Sequence, residues 1–206
     1  MGALVSLFGM FQGEGPNGFG HESTADEVLE GVDLSGRCYL VTGSNSGLGL
    51  ETLMALTRRG ARVMAVARTA EKAGIACAAA SPNGEAVPFV CEMSDPNSIR
   101  ECIDTVRRDG RVLSGIVANA GVMALPTHTM VRAVETQLFC NHVAHFMLVT
   151  SLFDQLDPSE GRVVVVSSRA HERTWPEGIR LNDLGAVSEY SPWKAYGQSK
   201  LCNLLF

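Results

Sequence analysis

The chain has 206 residues and a formal net charge of −5. This length suits one domain with its own core, and the acidic balance gives no electrostatic basis for binding nucleic acid. The six cysteines form no CxxC pair, which argues against a disulfide framework or a zinc site. We therefore expect reduced thiols in a cytoplasmic protein, with a membrane-associated or organellar location as the alternative.

Residues 1–32 are predicted to be a leader arm in front of a domain that spans residues 33–206. Met1 and Gly2, followed by Ser6, fit a myristoylation pattern. Such a lipid would give the arm a weak membrane association. The alternative is an arm that is loose or packs on the surface. Within it, Ser23 or Thr24 is expected to cap a short helix.

A strand, a glycine-rich turn, a helix and a second strand are predicted over residues 37–68. The apolar, β-prone residues 38–41 lead into Thr42 and then into a turn with the spacing GxxxGxG. The turn consists of Gly43, Ser44, Asn45, Ser46, Gly47, Leu48 and Gly49. The start of the following helix would direct its free N–H groups at a phosphate. A glycine-rich turn without a ligand is the alternative, disfavoured because all four elements follow in order.

Arg68 lies at the end of the second predicted strand, where an acidic residue would bind a free adenosine ribose and repel a 2′-phosphate. The acid is missing, and a guanidinium group is suited to a phosphate. This favours NADP(H) as the cofactor. The alternative is a solvated surface arginine.

The third and fourth strands are predicted over residues 86–91 and 112–118. Glu92 follows the third strand directly. A helix begins at Asp95, which we expect to be its cap, and ends near residue 108. Asn119, Ala120 and Gly121 follow the fourth strand, although asparagine and glycine are common in any turn.

Residues 130–156 are predicted to form one long helix, with Asn141 and His145 on its apolar stripe. Buried polar groups need partners, and the simplest explanation for this pair is a hydrogen bond to a neighbouring helix. His142 and His145 have a spacing seen in metal ligands, but the sequence offers no third ligand. We therefore expect no metal.

The fifth strand is predicted over residues 161–166 and is followed by Ser167 and Ser168. Ligands bind at this edge of a parallel sheet, although a serine pair there is also a common turn or helix cap. Tyr196 and Lys200 are four residues apart on a predicted helix and so share one face. A neighbouring ammonium group favours the phenolate form of a tyrosine.

Together these motifs resemble the short-chain dehydrogenase/reductase family. The glycine turn with Thr42 before it, the Asn-Ala-Gly segment, Ser168 and the Tyr-x-x-x-Lys pair carry the resemblance. The segments ETQ, NH and HF within residues 135–146 resemble its retinol-dehydrogenase-like and WW-domain-oxidoreductase-like members. The family implies a doubly wound α/β fold, a Rossmann fold with a parallel sheet in the strand order 3-2-1-4-5.

The resemblance also implies roles for individual residues. Ser168, Tyr196 and Lys200 would be catalytic, and Asn141 would hold a water that links the lysine to solvent. Besides the glycine turn and Arg68, the cofactor-binding residues would be Glu92, Asn119, Ala120, Gly121, Tyr196 and Lys200. The family usually has aspartate at the position of Glu92, where the side chain touches the adenine, and glutamate is longer by one methylene group.

The family pattern continues beyond the Tyr-Lys helix with further strands and a substrate lid, so the chain is expected to be truncated at its C-terminus, with the final strands missing. The expected function is an NADP(H)-dependent oxidoreductase that interconverts an alcohol and a carbonyl on an apolar, retinol-, steroid- or lipid-type substrate. The alternative is a catalytically impaired dinucleotide-binding or interaction protein. A homodimer is a further expectation.

Overall fold

The computed structural model describes residues 13–20 and 22–206, so the myristoylation pattern at Met1, Gly2 and Ser6 lies outside the described residues. The chain divides into two units, residues 1–33 and residues 34–206. The first unit contains helix α1, Ala25–Val28. Thr24 caps this helix: its hydroxyl accepts a hydrogen bond from the Glu27 N–H, and the Glu27 carboxylate accepts one from the Thr24 N–H. This reciprocal capping box satisfies two donors that a helix start leaves open.

The second unit is built on a five-stranded sheet in which all neighbouring strands are parallel. Its strands are β1 (Cys38–Thr42), β2 (Arg62–Ala67), β3 (Glu85–Val90), β4 (Gly115–Ala118) and β7 (Arg162–Val165). Their spatial order is β3-β2-β1-β4-β7. Since β7 is the fifth strand of this sheet, the predicted doubly wound fold and its order 3-2-1-4-5 are confirmed.

Helices cover both faces of the sheet. They are α2 (Gly47–Arg58), α3 (Ala70–Ala78), α4 (Pro96–Asp109), α6 (Ala144–Ser151) and α7 (Pro192–Leu205). Alternate residues of β1 point to opposite faces: Leu40 packs in the cluster that includes α4 and α6, whereas Val41 packs in the cluster that includes α2 and α3. Burying each such side chain contributes about 1.5–3 kcal/mol.

The prediction of one long helix over residues 130–156 is wrong. The segment begins with an antiparallel hairpin, β5 (Met130–Val131) and β6 (Val134–Glu135). The helix that follows consists of the α-turn α5 (Thr136–Leu138), a π-helical turn (Phe139–Val143) and α6. The hairpin is held by a long-range hydrogen bond from Glu135 N to Leu184 O at 2.9 Å, a contact that helical periodicity cannot reveal.

Among the described residues, no helix is both long enough and apolar enough to cross a bilayer. All six cysteines are free thiols. Five of them are buried, and burial raises the pKa of Cys140 to about 12.

Candidate active site at the carboxyl edge of the sheet

The glycine turn between β1 and α2 adopts a backbone that its glycines permit. Gly43 and Gly47 have φ angles of 68° and 53°, in the left-handed region that other residues rarely adopt. Gly49 is needed for another reason: a Cβ atom there would lie 2.3 Å from Gly43 O and 2.6 Å from Asn119 Nδ2. The third glycine therefore lets α2 start in direct contact with the turn and with the end of β4.

The first turn of α2 is suited to an anion. Ser46 is its N-cap residue, and within the described part of the chain its side chain makes no capping hydrogen bond. The N–H groups at a helix start have no partner inside the helix, and they carry the positive end of its dipole. A phosphate group placed there would accept hydrogen bonds from these N–H groups and would be attracted by the positive end of the dipole.

A cavity of about 420 Å³ opens beside this turn. It is lined by most of the predicted cofactor-binding residues: Gly43, Asn45, Ser46, Arg68, Glu92, Asn119, Ala120 and Gly121. The other members of the turn do not line it. The Ser44 side chain is buried and donates to Val66 O at 3.2 Å, Gly47 and Leu48 are exposed at the start of α2, and Gly49 is buried.

Two cations lie at the end of the cavity next to β2. Arg68 is exposed, and Lys72, which no sequence motif singled out, is partly buried on the first turn of α3. That helix starts at Thr69, whose hydroxyl accepts a hydrogen bond from Lys72 N at 3.3 Å. No local pattern marks Lys72, because Arg68 precedes the N-cap Thr69 and so does not share the helix with it. The nearby Glu92 carboxylate accepts hydrogen bonds from the backbone and hydroxyl of Ser94.

Thr42 joins the glycine turn to the end of β4. Its hydroxyl oxygen accepts hydrogen bonds from the N–H groups of Asn119 and Ala120, both at 2.9 Å. The Asn119 side chain donates to Thr42 O at 2.9 Å. These bonds hold the Asn-Ala-Gly segment against the glycine turn, so that both line one cavity.

Asn141 lies in the π-helical turn and is fully buried. Its side chain accepts from Val122 N at 2.8 Å and donates to Val122 O and Ser199 Oγ, both at 2.9 Å. The amide therefore has partners on the segment after β4 and on helix α7. The hydrogen bond to Ser199 on α7 is the expected bond to a neighbouring helix, and it explains why Asn141 lies on the apolar stripe. The side chain makes all three of these hydrogen bonds with protein atoms.

Lys200 lies beside this arrangement, but the described residues that line the cavity do not include Lys200, Tyr196 or Ser168. Its Nζ donates to Val166 O at 2.9 Å and lies 5.7 Å from the centre of the Tyr196 ring. A Cβ atom on Gly121 would lie 3.7 Å from that Nζ. Burial lowers the pKa of Lys200 from its usual value. The predicted pair is thus on one face of α7, with the lysine next to the Asn-Ala-Gly segment.

Ser168 caps a 3₁₀ turn, Arg169–Arg173, and its hydroxyl accepts from Ala170 N at 3.2 Å. Accepting this bond leaves the hydroxyl proton available as a donor. The turn packs closely on α7, because a Cβ atom on Gly197 would lie 2.6 Å from Ala170 O. The preceding serine, Ser167, donates instead to Lys200 O at 2.7 Å.

The buried His145 gives the protein a pH-dependent stability. Burial lowers its pKa to about 4, whereas the unfolded chain takes up this proton near pH 6.5. The unfolded state therefore binds more protons between these values, and the free energy of unfolding should fall by about 3 kcal/mol as the pH drops through this window. Urea unfolding near neutral pH and near pH 4 measures the loss. In a His145→Asn variant, which cannot titrate at this position, the free energy of unfolding should change with pH by about 3 kcal/mol less than in wild type. The same pH dependence in both proteins would contradict the prediction.

Comparisons with known proteins identify the family of this chain. Residues 37–180 match the sequence model of the short chain dehydrogenase family. The chain is 35% identical over 211 residues to the chloroplastic short-chain dehydrogenase TIC 32 B of Brassica napus, covering 98% of this chain and 66% of that protein. It is 36% identical over 179 residues to retinol dehydrogenase 12 of Mus musculus, covering 85% and 56%. The structure of the landomycin C-6 ketoreductase LanV with bound NADP and rabelomycin aligns with a TM-score of 0.62 and 26% identity, covering 82% and 67%.

The fold is a doubly wound, Rossmann-type α/β domain. The chain belongs to the short-chain dehydrogenase/reductase family, whose members use nicotinamide cofactors. The predicted likeness to retinol-dehydrogenase-like and WW-domain-oxidoreductase-like members is also confirmed. The matched region covers 66% of the length of the TIC 32 B protein and 56% of the length of retinol dehydrogenase 12.

Proposed function

We propose that the protein is an NADP(H)-dependent oxidoreductase that interconverts an alcohol and a carbonyl on an apolar substrate. The observation that carries this proposal is the position of Lys200 Nζ, which lies 5.7 Å from the centre of the Tyr196 ring and next to Gly121, a residue that lines the cavity. The glycine turn, the start of α2 and the cavity beside them fit a dinucleotide. When bound, this cofactor supplies the hydride.

Each polar side chain then has a defined role. Tyr196 donates its hydroxyl proton to the carbonyl oxygen during reduction and takes up the alcohol proton in the reverse direction. Ser168 donates a hydrogen bond to the same oxygen. The Lys200 ammonium stabilises the negative charge that develops on the tyrosine oxygen and binds the nicotinamide ribose. Asn141 fixes the segment next to Lys200 and supports the path of the proton.

The preference for NADP(H) follows from the charges at the end of β2. Arg68 and Lys72 both line the cavity, and the strand end has no acidic residue that would repel a 2′-phosphate. A guanidinium group and an ammonium group together neutralise a phosphate dianion such as the 2′-phosphate, which NADPH carries and NADH lacks.

An apolar substrate is supported by the surroundings of Tyr196. The Trp193 ring lies 6.2 Å from the tyrosine ring in an edge-on arrangement and is 49% exposed. An exposed indole offers a large apolar surface for a flat or extended carbonyl compound. The relatives whose names refer to retinol and to a ketoreductase support the same class.

Cofactor titration tests the preference for the phosphorylated dinucleotide. Wild type should bind NADPH at least about tenfold more tightly than NADH, since one charge-assisted contact contributes about 1.5–3 kcal/mol. Arg68→Ala and Lys72→Ala should each weaken NADPH binding and leave NADH binding nearly unchanged. Arg100→Ala, on the exposed surface of α4, is the control and should change neither. Equal affinity of wild type for both cofactors would refute the preference.

The reaction itself is tested with a panel of apolar aldehydes and ketones, followed by the consumption of NADPH. Turnover supports the oxidoreductase. Cofactor binding without turnover of any compound favours the second candidate, a dinucleotide-binding protein with impaired catalysis, and failure to bind NADPH favours an interaction protein. The cytoplasmic location, the homodimer and the weak membrane association of residues 1–32 stay predictions.

A further inference from the structure

His145 is fully buried and has no task in the reaction proposed above. Both of its ring nitrogens have partners. Nε2 lies 2.9 Å from Thr42 Oγ1 at the end of β1, and Nδ1 lies 3.0 Å from the backbone oxygen of Asn141 in the π-helical turn. The imidazole therefore bridges two parts of the candidate active site that are 99 residues apart in sequence, Thr42 and Asn141.

The partners determine which nitrogen carries the proton. A carbonyl oxygen can only accept, so Nδ1 must be the donor to Asn141 O. Nε2 is then unprotonated and accepts the hydroxyl proton of Thr42, whose other acceptor, Val117 O, is more distant at 3.4 Å. The two lone pairs of the threonine oxygen remain for the N–H groups of Asn119 and Ala120. Every donor and acceptor in this buried chain of bonds is used.

Each end of the bridge reaches a different part of the site. Nε2 is hydrogen-bonded to Thr42, whose oxygen holds the N–H groups of Asn119 and Ala120. These two residues line the cavity. Through the backbone of Asn141, Nδ1 acts on the side chain that holds Val122 and Ser199, and Ser199 precedes Lys200 on α7.

We propose that His145 is a positioning residue that fixes the cofactor-binding backbone through Nε2 and the Asn141 turn through Nδ1. The proposal deepens the function proposed above and rests on it, because the backbone that His145 positions is the one proposed to bind the cofactor. A histidine is required because its rigid ring presents a donor and an acceptor at a fixed separation. Asparagine can replace only the Nδ1 donor, and glutamine only the Nε2 acceptor.

The two halves of the bridge can be tested separately with His145→Asn and His145→Gln. The reporters are the exchange rates of individual backbone amides in the chain without cofactor, together with NADPH affinity. His145→Asn should speed exchange at Asn119 and Ala120 about tenfold, corresponding to the loss of about one hydrogen bond, and should weaken NADPH binding about tenfold. His145→Gln should instead speed exchange mainly at Val122 and weaken NADPH binding only about twofold.

A matched pair of threonine variants controls for the loss of a buried hydroxyl. Thr42 and Thr57 are both fully buried, and the Thr57 hydroxyl donates to Leu53 O and accepts from Ser81 N, outside the cofactor cavity. Thr42→Val removes the acceptor of the Asn119 and Ala120 N–H groups directly, so it should speed exchange at these two amides and weaken NADPH binding by at least as much as His145→Asn. Thr57→Val should lower stability without changing exchange at Asn119 and Ala120.

The ring of wild-type His145 provides a test that needs no variant to fold. Its nitrogen NMR shifts should show a neutral imidazole with the proton on Nδ1, and the proton on Nε2 would overturn the proposal. Equal effects of His145→Asn and His145→Gln on all three amides would also overturn it, since they would mark an ordinary core residue. Because the exchange and NMR measurements need no cofactor, they can succeed even if wild type fails to bind NADPH, which would refute the proposed function alone.

Discussion

Replacing Tyr196 with phenylalanine is expected to lower carbonyl reduction by at least about 100-fold, the range associated with the loss of a general acid. Only the hydroxyl is removed, so the packing of α7 and the affinity for NADPH should survive. The variant is measured by single-turnover reduction of a carbonyl compound and by NADPH titration. Lys200→Met should impair both turnover and cofactor binding, because the lysine is proposed to serve both.

Tyr39→Phe is the matched control for this experiment. Tyr39 lies on β1, is paired with Gly115 of β4 and does not line the cavity. Its hydroxyl has no part in the proposed reaction, so the variant should reduce carbonyls at the wild-type rate. If Tyr196→Phe keeps nearly wild-type turnover, the proton must come from Ser168 or from a water, and the proposed mechanism is wrong.

Replacing Gly49 with alanine is expected to damage both the fold and cofactor binding. The new methyl group would lie 2.3 Å from Gly43 O and 2.6 Å from Asn119 Nδ2. The first contact is with backbone, which must shift, and overpacking of this kind typically costs about 1–3 kcal/mol. Because the shift separates the two segments that line the cavity, NADPH binding should weaken by more than the change in stability alone explains. Urea unfolding and NADPH titration measure the two effects.

Gly74 offers the matched comparison, because it also lies within a helix but has open space where a Cβ atom would be added. Gly74→Ala should raise stability by up to about 1 kcal/mol, since alanine favours the helix and restricts the unfolded chain. A Gly49→Ala protein with wild-type stability and NADPH affinity would show that the turn tolerates the methyl group, contrary to the observed geometry.

The sequence by itself determined the sheet and the placement of the glycine turn. Apolar runs of strand length, helical spacing and glycines at fixed offsets are local features, and each predicts one element without knowledge of its neighbours. Parallel strands joined by helices then leave few topologies, because crossovers are right-handed. Because the strands are parallel, their carboxyl ends lie at one edge of the sheet, and Ser168, Asn119 and the glycine turn, which follow strands, are therefore placed at that edge.

The tertiary structure decided the features that depend on residues remote in sequence. The hairpin at residues 130–135 interrupts a pattern that fits a helix, and it is held by Leu184. Lys72 lines the cavity beside the glycine turn only because α3 is positioned against β2. The bridge from Thr42 through His145 to Asn141 joins a strand end to a π-helical turn. No periodicity records such contacts, because packing selects the partner of a buried polar group from the whole chain.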